Sequence, residues 1–221
     1  MKRRNTVLLL VIVVFALEFL RVFPSLWFSS FSNKDGVSVA EYGLTMDENL
    51  FYRQTYNNCG SYSVMAVRNI LVHDELDPEM LAKEMKWRII KNLTFPQGVV
   101  SLLYKYDIRT KEYTLWAKSD ADKASFLRTQ ILHGKPVILL IKAHGVLHYV
   151  TVLGYDKEGF MLYDSMQEKS LENSRFTIKD ERASVGNTWL STEELVSLWN
   201  KGGVKFAFRN WCIVCNVKKK F

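Results

Sequence analysis

The sequence Pro136-Val-Ile-Leu-Leu-Ile141, followed by His148-Tyr-Val-Thr-Val-Leu-Gly-Tyr-Asp-Lys-Glu-Gly-Phe-Met-Leu-Tyr-Asp164, decides the fold class. The first part is a continuous apolar run, and the second is rich in β-branched and aromatic residues. Both patterns indicate strands, and Gly154-Tyr-Asp-Lys-Glu-Gly159 supplies turn residues that predict a β-hairpin. We therefore expect an antiparallel sheet in the second half of the chain.

The chain before this sheet shows apolar residues at helical spacing instead. Four segments have this pattern: residues 60–72, 78–90, 98–106 and 120–133. Pro78 suits the first position of the second helix, and Ser119 or Asp120 suits the N-cap of the fourth. Helices followed by a sheet predict an α+β domain.

The chain after the hairpin closes the domain. Ser191-Thr-Glu-Glu194 is a capping box that predicts a helix over residues 191–200. Residues 204–217 offer two closing strands. Cys212 and Cys215 lie in the last of them, and three-residue spacing in a strand places side chains on opposite faces. A zinc site would need two further ligands nearby, so we predict that both cysteines pack in the core.

Composition fits one globular domain with a short appendage, because the 221 residues are 48% apolar and 24% charged. The net charge of +7 comes almost entirely from three basic residues near each end of the chain. The body is nearly neutral, which argues against nucleic-acid binding. Three cysteines also do not make a disulfide framework for an exported domain.

The N-terminal segment, residues 1–32, predicts a signal-anchor or a signal peptide. Lys2-Arg-Arg4 precedes an apolar run over residues 6–17, which residues 19–28 continue. A basic flank marks the cytoplasmic side, so the rest of the chain is expected outside the membrane. We favour an uncleaved membrane-anchored helix. Ser30-Phe-Ser32 is the alternative cleavage site, which would give a secreted protein. Residues 33–40 are then a tether, and residues 41–221 the domain.

Cys59 has the position of an activated thiol at the start of the first helix. Unpaired N–H groups and the positive end of the helix dipole lower a thiol pKa there. The neighbours in Asn57-Asn-Cys-Gly-Ser61 are small or polar, which lets a substrate backbone approach the sulfur. The pattern by itself is weak, since a cysteine at a helix start more often serves packing.

Three further residues complete a candidate catalytic set. His148 opens a strand that would hold an imidazole rigidly, and Asp164 ends the next strand of the hairpin, within reach for orienting that ring. The amide of Gln54, five residues before the cysteine, suits a developing oxyanion. His144 is the alternative base. His73 and His133 follow helices and are expected to be C-terminal caps.

These motifs resemble the bacteriocin-processing peptidases, which are papain-like cysteine peptidases. The likeness runs over residues 51–164 and rests on Gln54-x4-Cys59-Gly60, on His148-Tyr-Val with Gly154-Tyr-Asp156, and on Tyr163-Asp164. It implies a papain-like fold in which Cys59 is the nucleophile, His148 the base, Asp164 the orienting group and Gln54 the oxyanion donor.

The family cuts leader peptides after a double glycine, usually as the cytosolic domain of an export transporter. These 221 residues contain no ATP-binding cassette, and their N-terminal segment predicts a domain outside the membrane. The cysteine-peptidase function survives this departure, whereas the double-glycine substrate does not follow from it.

The sequence therefore predicts a thiol peptidase that acts on a peptide or protein substrate and requires no metal or organic cofactor. Two alternatives stay open. One is a papain-like binding module without turnover, and the other is a thiol amidohydrolase or acyltransferase on the same centre. The sequence does not decide the oligomeric state.

Overall fold

The computed structural model describes residues 12–13, 39–89, 93–143, 145–166, 187–203 and 208–217. The predicted N-terminal segment, except residues 12–13, and most of the tether lie outside these residues, as does His144. Among the ranges that are described, no helix has both the length and the apolar character needed to cross a bilayer. The predicted anchor therefore stays a prediction.

Five α-helices, one short 3-10 helix (Glu48–Leu50) and seven strands make up the described part of the domain. The helices are α1 (Cys59–Val72), α2 (Pro78–Glu84), α3 (Pro96–Lys105), α4 (Asp120–Leu132) and α5 (Thr192–Asn200). The strands are β1 (Tyr42–Gly43), β2 (Ile108–Thr114), β3 (Val137–Ala143), β4 (Val146–Tyr155), β5 (Gly159–Tyr163), β6 (Asn187–Ser191) and β7 (Trp211–Val217). All pairings are antiparallel, in the order β2-β7-β3-β4-β5-β6, with β1 on β4.

The sheet separates two hydrophobic cores because side chains alternate along its central strands. On β3, Ile138 and Leu140 face the core formed with α1, α2 and α3. Val137, Leu139 and Ile141 face the core formed with α4 and α5. Near-continuous apolar sequence in β3 is thus explained by burial on both faces. The predicted α+β arrangement, with N-terminal helices packed on an antiparallel sheet, is confirmed.

The predicted hairpin is present as β4 and β5. Asp156 closes its turn by accepting hydrogen bonds at Oδ1 from the N–H groups of Glu158, at 2.8 Å, and Gly159, at 2.7 Å. The register shifts between Val152 and Gly154, which marks a bulge in β4. β4 begins at Val146, two residues earlier than predicted, so His148 is its third residue rather than its first.

Helix ends follow the predicted caps. Ser119, not Asp120, caps α4 by accepting a hydrogen bond from the N–H of Asp122. Ser191 forms the predicted capping box with Glu194. His73 and His133 are the C-caps of α1 and α4, and His73 has a left-handed backbone with φ of 56°.

The second helix is shorter than its apolar pattern predicted. α2 ends at Glu84, and Trp87 is exposed with a left-handed φ of 56°. The chain reverses here, because the N–H of Phe95 donates to the Trp87 carbonyl at 3.0 Å and Arg88 pairs with Thr94. The apolar residues after Glu84 have helical spacing although they lie in a chain reversal, and for this reason the sequence pattern predicted too long a helix. α3 then begins at Pro96, two residues earlier than expected.

The sequence patterns did not predict β2 and β6, and only part of the segment predicted to hold two closing strands, residues 204–217, is described. β2 lies between two helices and pairs with β7 along its whole length, which places a strand in the half predicted to be helical. β6 pairs with β5. Residues 208–217 contain a single strand, β7, instead of part of a predicted pair, while residues 204–207 lie outside the described part. On β7, Cys212 and Cys215 are buried in opposite cores, without a disulfide.

Candidate active site

Cys59 is the first residue of α1 and is buried, with 9% of its surface exposed. Burial by itself raises the pKa of the thiol. Hydrogen bonding and charge interaction with His148 oppose this, as do hydrogen bonds from the backbone N–H groups of Tyr149 and Gly60, and the pKa falls below its ordinary value. The start of α1 was expected from the sequence to stabilise the Cys59 thiolate. His148 and the backbone of Tyr149, both in β4, also stabilise it.

His148 and Asp164 form a fully buried pair. His148 Nε2 lies 2.7 Å from Asp164 Oδ1, and the same oxygen accepts the N–H of Met166 at 2.8 Å. The hairpin register produces this contact: Thr151 pairs with Tyr163, so Asp164 follows β5 alongside the early part of β4. Burial disfavours an imidazolium, but the charge and hydrogen bond of Asp164 raise the pKa of His148 to about 10.

The other ring nitrogen of His148, Nδ1, is the atom left for Cys59. It has no well-aligned hydrogen bond to a described residue. The thiol nevertheless acts on the imidazole through charge and hydrogen bonding, and helps to raise its pKa. We conclude that the two groups are close but not ideally aligned. Catalytic hydrogen bonds are often loose without substrate and tighten when it binds.

Gln54 is held by Ser165, the residue after Asp164. The Ser165 hydroxyl donates to Gln54 Oε1 at 2.7 Å, and the Gln54 backbone N–H donates to the Ser165 carbonyl at 2.8 Å. Because the amide oxygen is occupied, the Nε2 amino group is the part of the side chain that suits an oxyanion. The loop that precedes Cys59 and the end of the hairpin are thereby joined.

A cleft of about 350 Å³ brings the candidate residues together. Cys59, His148 and Gln54 line it, while Asp164 lies behind His148 and is completely buried. The remaining wall is mostly apolar: Leu93, Phe95, Pro96, Leu140, Val146, Leu147, Met166 and Phe208. The structure therefore places three predicted site residues at one cavity and connects the fourth to it.

Sequence reasoning missed several residues that support this centre. Ser165 orients Gln54, and the backbone of Tyr149 contacts the thiol. Asn58, beside the nucleophile, accepts a hydrogen bond from Arg88 and donates to Glu79. Only the position of Asn58 and Ser165 next to predicted site residues could have suggested them.

The family model described as the Peptidase C39-like family matches residues 46–196. The chain belongs to this family. This confirms the resemblance drawn from Gln54, Cys59, His148 and Asp164, and identifies a C39-like cysteine peptidase domain. A search of curated proteins found no match.

Solved structures with a similar fold include several peptidase domains. The peptidase domain of Streptococcus ComA, a bi-functional ABC transporter involved in quorum sensing, is 19% identical with a TM-score of 0.50; the match covers 80% of this chain and 98% of that one. A putative C39-like peptidase from Bacillus anthracis is 14% identical with a TM-score of 0.53, covering 80% and 99%.

A third solved structure contains a bound peptide. It is a double glycine motif protease from an AMS/PCAT transporter in complex with the leader peptide, 12% identical with a TM-score of 0.51, and the match covers 82% of this chain and 97% of that one. At these identities the likeness establishes the fold alone. It confirms that this chain shares the α+β fold of these peptidase domains.

Proposed function

We propose that this chain is a thiol peptidase that hydrolyses peptide bonds with Cys59 as nucleophile, His148 as general base and acid, Asp164 as the orienting carboxylate and Gln54 as oxyanion donor. The observation that carries the proposal is the thiol at a helix start, with its pKa lowered beside an imidazole that a buried carboxylate holds at 2.7 Å. A structural cysteine does not need such an arrangement.

The reaction proceeds through a thioester. The Cys59 thiolate attacks the substrate carbonyl carbon, and the carbonyl electron pair moves to oxygen, where the Gln54 amide donates a hydrogen bond. The intermediate collapses, the C–N bond breaks, and imidazolium His148 gives its proton to the leaving amine. Water then attacks the thioester while His148 accepts a proton, which releases the acid and restores the thiolate–imidazolium pair.

The substrate is expected to present apolar side chains beside the scissile bond. Most of the cleft wall is apolar, and Leu93, Val146 and Met166 meet the same cavity as Cys59. Burying an apolar side chain there would contribute about 25 cal/mol per Å² of area removed from water. The leader-peptide complex of a relative supports a peptide as ligand, although its double-glycine specificity belongs to that protein.

The site of action is proposed to be the extracytoplasmic side of the membrane, with residues 1–32 as an uncleaved anchor. The support is the basic flank before a long apolar run. A membrane-impermeant maleimide tests this in intact cells, because Cys59 should be labelled without permeabilisation. Labelling only after permeabilisation would contradict the proposed topology but would not bear on the proposed peptidase activity.

Hydrolysis is tested by incubating the full chain, in detergent or bilayer, with a peptide library and identifying cleaved bonds by mass spectrometry. Cleavage at defined bonds that disappears in Cys59→Ala supports a peptidase. Binding without cleavage, together with an ordinary thiol pKa near 8.5, would favour a silent binding module. Transfer of the acyl group to an added amine in preference to water would favour an acyltransferase.

A further inference from the structure

A cluster of polar side chains connects the nucleophile loop, residues 54–58, to α2 and to the loop after it. Its centre is Glu79, whose carboxylate accepts hydrogen bonds from Thr55 Oγ1 at 2.7 Å, from the Tyr62 hydroxyl at 2.7 Å and from Asn58 Nδ2 at 3.1 Å. Arg88 binds the other end of the Asn58 amide. We call these five residues the Glu79 cluster.

Asn58 is the member of the cluster that is bonded directly to the nucleophile. It is 7% exposed, and its Nδ2 also donates to Thr55 Oγ1 at 2.9 Å. Its Oδ1 accepts from Arg88, whose other terminal nitrogen donates to the Ala82 carbonyl at 2.9 Å. Both ends of the amide are therefore fixed, and the backbone that enters Cys59 is fixed with them.

The use of the Asn58 oxygen is unusual for its position. An asparagine at an N-cap ordinarily accepts a hydrogen bond from an N–H in the first turn of its helix. Asn58 makes no such bond, because its oxygen binds Arg88 instead. The N–H of Gly60 is therefore not used by the Asn58 side chain, and it contributes to the lowered pKa of the Cys59 thiol.

The cluster also carries charge near the sulfur. Burial raises the pKa of Glu79, but hydrogen bonds from Thr55, Tyr62 and Asn58 lower it overall, so the carboxylate stays ionised. Burial lowers the pKa of Arg88, while the charges of Cys59 and Glu79 oppose that effect. A guanidinium keeps its proton in proteins, so Arg88 is a permanent cation within electrostatic reach of the thiol.

We propose that Arg88 is a positioning residue for the nucleophile: through Asn58 it fixes the loop that carries Gln54 and Cys59, and its positive charge favours the thiolate. This inference rests on the proposed role of Cys59. Glu79 holds the same loop from α2, but its negative charge does not favour a thiolate. The two members of the cluster therefore share the mechanical role and differ in the electrostatic one.

Among the described residues, His148 is the titratable group whose charge and hydrogen bond lower the pKa of Cys59, while the pKa values of Arg88 and Tyr149 respond to the charge of Cys59. Burial holds the pKa of Tyr149 well above its ordinary value, so this phenol stays neutral over the working range. His148 is the partner that titrates with the thiol. Removing Arg88 thus changes a constant positive charge and leaves the titrating pair intact.

The test measures the rate of Cys59 alkylation by iodoacetamide against pH in the full chain, resolved by mass spectrometry. Arg88→Met should raise the apparent pKa of Cys59 by roughly half a unit or more. It should also lower kcat about tenfold with KM nearly unchanged, because positioning acts on the chemical step. Arg88→Lys keeps the positive charge but loses the two terminal guanidinium nitrogens that bind Asn58 and the Ala82 carbonyl. The pKa of Cys59 should therefore return close to the parental value, while kcat should recover little.

Arg68→Met is the matched control. Arg68 lies in α1, the helix that begins at Cys59, and its guanidinium binds Asp74 at 2.9 Å and the Tyr106 carbonyl at 2.8 Å. Its loss removes the same charge and a comparable set of contacts away from the cleft. We expect a lower midpoint of thermal unfolding with an unchanged alkylation profile. An equal pKa shift in this control would show that the effect of Arg88 is not local, and would overturn the proposal.

Glu79→Gln keeps the proposal testable if Arg88→Met does not fold. It should lower kcat while the pKa of Cys59 stays or falls, because a negative charge has been removed. A folded Arg88→Met with the parental alkylation profile, or a Glu79→Gln with parental kcat, would overturn the inference. An ordinary thiol pKa in the parent would instead remove the proposed function itself, so the two failures are distinguishable.

Discussion

Cys59 and Cys212 are both buried thiols, and their surroundings drive them in opposite directions. Cys212 lies on β7 in the core beneath α4 and α5, where burial raises its pKa well above the ordinary value. Cys59 suffers the same penalty from burial, yet His148 and two backbone N–H groups lower its pKa. Burial therefore makes a thiol inert unless fixed partners favour the anion, and then the same enclosure protects a reactive group.

The comparison predicts its largest effect in the labelling of the parent protein. Iodoacetamide at pH 7 should alkylate Cys59 at least about a thousandfold faster than Cys212, because each unit of thiol pKa changes the thiolate fraction tenfold and the strand is closed to solvent. Peptide mass spectrometry over a time course measures both rates. Cys215, buried in the other core, serves as the control and should react as slowly as Cys212.

Removing His148 should make Cys59 behave more like Cys212. In His148→Ala the thiol keeps its burial and its two backbone hydrogen bonds but loses its cationic partner, so its pKa rises. Turnover should fall about a thousandfold, since general acid–base catalysis is worth about 10² to 10⁴. A peptide cleavage assay and Cys59 alkylation at pH 6 measure the two effects. Parental alkylation in this variant would show that the imidazole does not activate the thiol.

Replacing Asp164 should narrow the range of pH in which the pair is active. The active pair needs a thiolate, which forms below the ordinary thiol pKa near 8.5, and an imidazolium, which persists up to about pH 10. Asp164→Asn removes the charge that raises the pKa of His148, so the alkaline limb moves to lower pH. The pKa of Cys59 rises at the same time, because the imidazolium that stabilises its thiolate is less populated. Both limbs of the pH profile therefore report the coupled thiol–imidazole pair rather than single residues.

The measurement is kcat/KM from pH 5 to pH 11, which should lose roughly a hundredfold at its maximum. Asp156→Asn is the matched control, since that carboxylate closes the β4–β5 turn at the other end of the hairpin. It should leave the position of both limbs unchanged. An alkaline limb that stays near pH 10 in Asp164→Asn would assign the raised pKa of the imidazole to another group.

Much of the fold can be predicted from the spacing of apolar residues and from the capping residues of the helices. The hairpin of β4 and β5, the Ser119 N-cap of α4 and the capping box of α5 are local patterns, so residues near in sequence suffice to predict them. β2 is different: Arg109, Lys111 and Glu112 give it a charged character, and its stability comes from pairing with β7 a hundred residues later. The end of α2 was missed for a similar reason, because the loop after it is fixed by contacts with Asn58 and Gly98.

The candidate site also contains residues that the sequence predicts and residues that it does not. Gln54, Cys59, His148 and Asp164 have positions that chemistry recognises, and the structure brings them to one centre, while their catalytic roles stay predictions. Apart from the positions of Ser165 and Asn58 next to predicted site residues, nothing in the sequence indicates the roles of Ser165 and the Glu79 cluster, because their contribution lies in side-chain hydrogen bonds between distant segments. Periodicity carries no signal for such bonds.

The smallest expected effect comes from Ser165, which touches neither the thiol nor the imidazole among the contacts of the described residues. In Ser165→Ala the Gln54 amide loses the hydrogen bond that fixes Oε1 at 2.7 Å, but the backbone bond between the two residues remains. We expect kcat to fall about threefold to tenfold, against about a hundredfold for Gln54→Ala, where the oxyanion donor itself is lost. The alkylation profile of Cys59 should match the parent in both variants, because neither change alters the thiolate–imidazolium pair.

A cleavage assay combined with alkylation therefore separates oxyanion stabilisation from thiol activation. An upward shift in the pKa of Cys59 in Gln54→Ala would mean that the loop positions the sulfur as well as the oxyanion donor, and that Gln54 contributes to the difference between Cys59 and Cys212.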